Sequence, residues 1–227
     1  NMNDKELVAK YAAQRVQNGM VVGLGTGSTA NYFIDELARR VKDESLLLKV
    51  VSSSIVSSVK AQSLGLDLVA IEHIRQLDLY VDGADEVTAE NTLLKGQGAD
   101  LVKEKLLANA STEFIVLVDQ SKMVKKIGEK FPIPIEVMPI AWQIVKYQLE
   151  DLGGQGQLRQ NANGGMAVSS HGSLILDMTF PATLNSQQLD NVLNDMPGVV
   201  EHGIFCSLAK TVLLAEEGDV KEIINTP

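Results

Sequence analysis

Three acids fall within five residues at Asp82-Gly83-Ala84-Asp85-Glu86, directly after the apolar run Leu79 to Val81. A strand that ends in a glycine-bearing acidic turn places its carboxylates at the carboxyl end of a sheet, where open α/β folds bind their ligands. Carboxylates that converge there repel one another, so at least one keeps its proton to a higher pH, which suits proton transfer; a nearby lysine opposes that rise. A magnesium site and a solvated acidic turn are the other readings of the same residues.

A cation follows at Lys95-Gly96-Gln97-Gly98-Ala99-Asp100, a second glycine-bearing loop that enters a helix expected over Ala99 to Ala110. A lysine in that position can stabilise an oxyanion. Glu104 lies about two turns into the expected helix, where its side chain points either back to the loop mouth or out to solvent. A third loop, Gly23-Leu24-Gly25-Thr26-Gly27-Ser28-Thr29, lies between a strand and a helix. Free N–H groups at that helix start can hold an anion, and Thr26, Ser28 and Thr29 add hydroxyl donors suited to a compact phosphate. It is neither a dinucleotide fingerprint, since Ser28 stands where the third glycine belongs, nor a Walker A loop, since no Lys-Ser or Lys-Thr closes it. The plain alternative is a tight turn with a capping hydroxyl.

These loops need a frame. Leu7, Val8, Tyr11, Ala12 and Val16 recur at helical spacing after Asp4, a candidate cap, and Asn18-Gly19 supplies a stop. Strands are expected at Met20 to Leu24, Leu48 to Ser52, Leu66 to Ile71, Leu79 to Val81 and Phe114 to Val118, with helices at Ala30 to Arg40 and Ile55 to Leu64. This alternation predicts an α/β fold, a mostly parallel Rossmann-like sheet with helices on both faces. After Phe131 the texture changes. Ile133 to Val137 is punctuated by prolines and fits a sheet edge or boundary. A helix over Ala141 to Asp151 follows, then β runs Met166 to Ser169 and Ser173 to Phe180 joined at His171-Gly172, a helix over Ser186 to Asp195 and a strand from Val199 to Phe205. That order is the split βαβ, ferredoxin-like arrangement of a smaller α+β domain. The expected division is residues 1–131, with 205–227 returning to the first sheet through Thr211 to Ala215, and a small domain at 132–204 as candidate oligomer contact. Asn1 ahead of Met2 reads as an added residue.

With 227 residues the chain can bury a substantial core without staples. The single cysteine, Cys206, excludes an intramolecular disulfide and fits a reducing cytoplasm. No apolar run approaches a membrane span, so a soluble cytoplasmic protein with no membrane partner is expected. The net charge of −9 opposes nucleic-acid binding, and Lys122, Lys125 and Lys126 form too small a cluster to reverse it. His73, His171 and His202 match no metal or triad spacing; surface or packing roles are expected for them, and core packing for Cys206 and Trp142.

In order and spacing, Gly23 to Ala30, Tyr80 to Glu86, Lys95 to Lys105 and Asp119 to Lys122 resemble the A-type ribose-5-phosphate isomerases, and Phe131 to Pro139 and Met196 to Val200 extend the resemblance over nearly the whole chain. The resemblance implies interconversion of ribose and ribulose 5-phosphates in the non-oxidative pentose phosphate pathway. It implies no cofactor and no metal, and a homodimer or homotetramer. Thr26, Gly27, Ser28 and Thr29 would line the phosphate site, with Lys122 and Lys5 adding charge. Asp82 and Asp85, with Gly83 and Ala84, would contact sugar hydroxyls and assist ring opening. Lys95, with Gly96, Gln97 and Gly98, would stabilise the enediolate, and Glu104 would be the base. Gln97 departs from the usual Lys-Gly-Gly-Gly; were φ positive there, the strain would be on the order of 1 kcal/mol. A sugar-phosphate sensor without catalysis is the rival reading, and an amino-sugar phosphate deaminase of similar fold is a second, which lacks its own motif here.

Overall fold

In a computed structural model that describes residues 2–225, the elements run in chain order. They are α1 (Asp4–Ala13), β1 (Met20–Leu24), α2 (Ser28–Glu44), β2 (Leu48–Ser52), α3 (Ile55–Ser63), β3 (Leu77–Asp82), β4 (Glu86–Val87), β5 (Leu93–Leu94), α4 (Leu101–Ala110) and β6 (Ser111–Asp119). Then follow β7 (Ile133–Val137), α5 (Trp142–Asp151), β8 (Gln155–Leu158), β9 (Leu174–Thr179), α6 (Ser186–Asp195), β10 (Val199–His202), β11 (Ile204–Phe205), β12 (Thr211–Glu216) and β13 (Asp219–Ile224). Asn1, read above as an added residue, and the end of the segment expected to return to the first sheet lie outside the described residues.

Contacts divide the chain into two units. The first comprises the residues up to Ala84, Lys103–Met123 and those from Ser207 onward; the second comprises Asp85–Val102 and Val124–Cys206. The segment 132–204, singled out above by its texture, lies inside the second.

The first unit is a six-stranded sheet of order β13-β12-β6-β3-β1-β2, parallel except for β13. Alternate residues of its strands, among them Val22, Leu24, Leu79, Val81, Ile115, Leu117 and Leu213, form one core with Val8 and Ala12 of α1 and Phe33, Ile34 and Leu37 of α2. The residues between them, such as Tyr80, Phe114 and Val116, are buried too. Burial on both faces is why these strands read as continuous apolar runs. From β1 the chain first adds β2 on one side and later β3 on the other, so the order reverses between β1 and β3. That crevice, at the carboxyl ends of the two strands, is where doubly wound folds bind ligands.

Several boundaries differ from expectation. Asn3, not Asp4, caps α1, its side chain accepting from the Glu6 N–H. No strand forms over Leu66 to Ile71: Leu68 makes one isolated bridge to Val50, and a 3₁₀ turn begins at Ile71. The strand β13, unforeseen because its charged residues hide the pattern, pairs with β12 through a Glu217-Gly218 turn with positive φ at both residues, the geometry that suits a two-residue hairpin.

The second unit contains the expected split βαβ order, as β7-α5-β8-β9-α6-β10, folded into an antiparallel sheet of order β10-β7-β9-β8. Here β7 is central rather than at an edge. Pro134 is tolerated because β10 ends at His202; its carbonyl accepts from the Gly203 N–H, while the Gly203 carbonyl takes the Lys95 N–H instead of the donor that proline lacks. The Met166 to Ser169 run is reduced to isolated bridges, and its place beside β9 is taken by β8, whose Gln-Gly-Gln-Leu carries no apolar alternation. The run Val199 to Phe205 splits at Gly203: β10 joins this sheet and β11 joins a separate one, of order β11-β5-β4.

Candidate active site

In the first unit the Gly25 loop follows β1 directly. Its first amide is fixed by the Val81 carbonyl at 2.9 Å. Gly25 is required there: a Cβ would lie 2.3 Å from Asp82 Oδ1 and 2.8 Å from the Asp82 Cα. Gly27, with φ of 112°, is the N-cap of α2, and among the described residues no side chain caps the helix. The capping-hydroxyl alternative is thereby set aside. Ser28 instead accepts a hydrogen bond from Lys5 Nζ at 2.7 Å, which brings a cation from the first turn of α1 to the start of α2. Thr26 and Ser28 are exposed, and the Thr26 hydroxyl meets those of Ser53 and Ser54 at the end of β2. A helix start capped by glycine, the exposed hydroxyls of Thr26 and Ser28, and an ammonium group suit a phosphate. Lys122 lies in the 3₁₀ turn Gln120–Lys122 at the carboxyl end of β6, two strands from β1 on the same edge of the sheet.

Asp82 ends β3 and is 2% exposed. Oδ1 accepts from the Gly83 N–H at 2.8 Å and the Thr26 N–H at 3.4 Å; Oδ2 accepts from the Tyr80 hydroxyl. One carboxylate thus joins the acidic turn to the Gly25 loop. Burial, then the charges of Asp82 and Glu104, push the Tyr80 phenol well above the ordinary tyrosine value. Glu104 is therefore within electrostatic reach of this pair. It sits half-buried in the first turn of α4, not two turns in, because Ala99 adopts a left-handed φ of 62° and the helix begins only at Leu101. An anion in the first turn is stabilised by the helix dipole.

The second unit carries the lysine. Lys95 follows β5 and is 4% exposed; its backbone N–H donates to the Gly203 carbonyl, and its Nζ lies 6.0 Å from the centroid of the Phe205 ring. The β4–β5 register pairs Glu86 with Leu94, and continuing it sets Asp85 opposite Lys95. The Asp85 N–H to Leu94 carbonyl bond, 2.8 Å, holds that continuation. Glu86 leaves the expected acidic cluster: it is fully buried and accepts from the N–H groups of Gly128, Lys130 and Phe131 at 2.7, 2.7 and 2.8 Å. Of the Lys95 loop, Gly96 takes a φ of 112° and a Cβ there would strike Leu101 at 2.8 Å, whereas Gln97 is not among the positive-φ residues. The strain considered for Gln97 falls at Ala99 instead.

Sequence reasoning missed Tyr80 as a partner of Asp82, although their i, i+2 spacing on a strand places both on one face. It also passed over Ser53 and Ser54, Arg159, and the buried Glu136. Burial first, with Glu201 and Asp100 adding, pushes Glu136 up to about 7 against the opposing effect of Ser169 and Leu101. His202 has the expected packing role, fully buried with Nε2 at 2.8 Å from Asn194 Oδ1. Cys206 is only partly buried, against the second unit's core.

A doubly wound α/β unit with a phosphate-ready loop and a buried aspartate at its switch point defines a class of proteins that handle small anionic ligands. Residues 49–219 match the family described as ribose 5-phosphate isomerase A (phosphoriboisomerase A). The ribose-5-phosphate isomerase A of Prochlorococcus marinus is 43% identical over 215 residues, covering 93% of this chain and 91% of that protein. The solved structure of ribose 5-phosphate isomerase A from Methanocaldococcus jannaschii is similar with a TM-score of 0.92 at 38% identity, covering 97% of this chain and 98% of the other. A D-ribose-5-phosphate isomerase solved in complex with phospho-erythronic acid has a TM-score of 0.93 at 35% identity, over 98% of this chain and all of that one. The chain belongs to the ribose 5-phosphate isomerase A family.

Proposed function

We infer that this chain is an aldose–ketose isomerase that interconverts D-ribose 5-phosphate and D-ribulose 5-phosphate. The observation that carries the reading is the near-full-length identity of 43% to a relative of that name. Thr26 to Thr29, with Lys5 and Lys122, hold the phosphate, and this remote anchor orients the reacting carbons. Asp82 and Asp85 contact the sugar hydroxyls and assist ring opening. The Glu104 carboxylate removes the proton from C2 of the open-chain aldose while the C1 carbonyl electron pair moves onto oxygen, giving the enediolate. Lys95 stabilises the developing charge. The proton returns to C1 and the O2 proton passes to O1, leaving the C2 ketone. No electrons are gained or lost overall, so the chemistry calls for no redox cofactor.

Support for these roles comes from Glu104 standing half-buried in a first helical turn within reach of Tyr80, and from Lys95 being held beside Asp85. Among the described residues no helix is long and apolar enough to cross a membrane. A cytoplasmic setting fits the single Cys206. A homodimer or homotetramer is proposed, with exposed Ile140, Ile144 and Tyr147, at successive helical-turn spacings, as the contact stripe. The deciding measurement is ketose formation from ribose 5-phosphate, before and after EDTA treatment. Turnover unchanged by EDTA is expected; binding without turnover would mark a sensor, and activity lost with EDTA and restored by a divalent ion would overturn the metal-free route.

A further inference from the structure

The loop that carries Lys95 has little of its own to hold it. Gly96 and Ala99 both sit at positive φ, Gln97 and Gly98 are exposed, and its one internal backbone bond runs from the Ala99 N–H to the Gly96 carbonyl at 3.2 Å. A segment of this kind samples many conformations unless other elements fix it. In this protein it is gripped from the β8–β9 side of the second unit.

Arg159, the residue after β8, does the gripping. Its Nε and one terminal nitrogen fork onto the two oxygens of Asp177 at 2.8 and 2.7 Å. The other terminal nitrogen donates to the carbonyls of Gly96 and Gln97, each at 3.1 Å. The Arg159 N–H is itself tied to the Ile175 carbonyl at 2.7 Å, so the guanidinium stands on a paired strand rather than a free loop. At the far end of the loop the Ser170 hydroxyl donates to Asp100 Oδ1 at 2.5 Å. The planar fork of arginine meets a carboxylate with one edge and presents its remaining donors in a fixed direction; lysine, a single point of charge, cannot do both.

We propose that Arg159, oriented by Asp177, is a positioning residue of the isomerase that sets the Lys95 loop in its working geometry. The proposal rests on the assignment of Lys95 to the enediolate. Arg159 and Asp177 act without touching the reacting atoms: Asp177 aims the guanidinium, the guanidinium pins two successive carbonyls, and the pinned carbonyls fix the backbone immediately after Lys95. An amine displaced by about 1 Å loses much of its effect on a transition state while leaving phosphate binding at the other loop intact.

The test compares Arg159→Ala, Arg159→Lys, Asp177→Asn and Lys95→Met by kcat, KM and thermal unfolding, with and without added guanidinium ion at millimolar, non-denaturing concentration. Folded Arg159→Ala is expected to lose about tenfold or more in kcat with KM changed by less than about threefold. Guanidinium should restore part of that kcat and none of the activity of Lys95→Met. If Arg159→Ala does not fold, the same comparison is made on Arg159→Lys and Asp177→Asn, where lowered kcat is again expected. A folded variant at position 159 with wild-type kcat, beside an inactive Lys95→Met, overturns the clamp alone. Full activity of Lys95→Met overturns the assignment of Lys95 and the clamp's catalytic consequence with it. A kcat loss that tracks unfolding and does not respond to guanidinium overturns positioning in favour of a purely structural role.

Discussion

The Tyr80 hydroxyl donates to Oδ2 of Asp82, two residues further along the same strand, and both side chains are buried. The phenol is held neutral by burial and by the charges of Asp82 and Glu104. Its folded pKa lies above the unfolded value, so its contribution to stability is complete below about pH 10 and is lost as pH rises further. In an ultraviolet absorbance titration a component from Tyr80 should appear only with alkaline unfolding. A Tyr80→Phe variant should lose that last component; a spectrum unchanged from wild type would contradict the assignment.

Gly25→Ala forces a methyl group into the carboxylate and backbone of Asp82. The Gly25 loop and the acidic turn are then displaced together, and kcat/KM is expected to drop by about 10²-fold in a protein that still folds. Circular dichroism and steady-state kinetics on the same sample check this pair of expectations.

Glu104→Gln keeps the shape of the side chain and removes the carboxylate proposed as the base. Its kcat should decrease by at least about 10²-fold with little change in KM. A fully active variant would take Glu104 out of the mechanism. Turnover of wild type in D₂O should place deuterium on the reacting carbons in some products.

Glu136 holds its proton in the folded state to about 7, against an ordinary carboxyl value of 4.5. A raised carboxyl pKa makes its stabilising contribution complete below the unfolded value and lost as pH rises through the folded one. Glu136→Gln removes that loss, so its stability relative to wild type should improve between about pH 5 and about pH 8, by on the order of a few kcal/mol. Denaturant midpoints measured at both pH values decide it; a constant difference would show that Glu136 does not titrate in this range.

On the proposed oligomer, Ile144→Glu places a charge in the Ile140, Ile144 and Tyr147 stripe. Sedimentation should show a smaller species than wild type. An unchanged mass would move the contact elsewhere on the surface.

Much of the fold is legible in the residues themselves because both its signals are local. The buried parallel strands announce themselves as apolar runs, and β1, β2 and α6 begin and end close to where pattern and turn residues place them. Among the strands that escaped notice, β4 and β5 are two residues each, too short for a pattern, while β8 and β13 are held by backbone pairing that leaves no mark in side-chain alternation. The same division holds for the site. Residue types and spacing mark Asp82, Lys95 and the Gly25 loop as candidates, since glycine-rich turns and clustered charges are costly unless used, whereas Glu104 enters only through the resemblance. Only the tertiary structure decides that Glu86 is spent on three backbone donors, that Ala99 rather than Gln97 carries the left-handed φ, and that Arg159 reaches back across more than sixty residues of chain to the Lys95 loop. Those are long-range facts: which donor meets which acceptor depends on strand register and order, and neither is written in any one stretch of sequence.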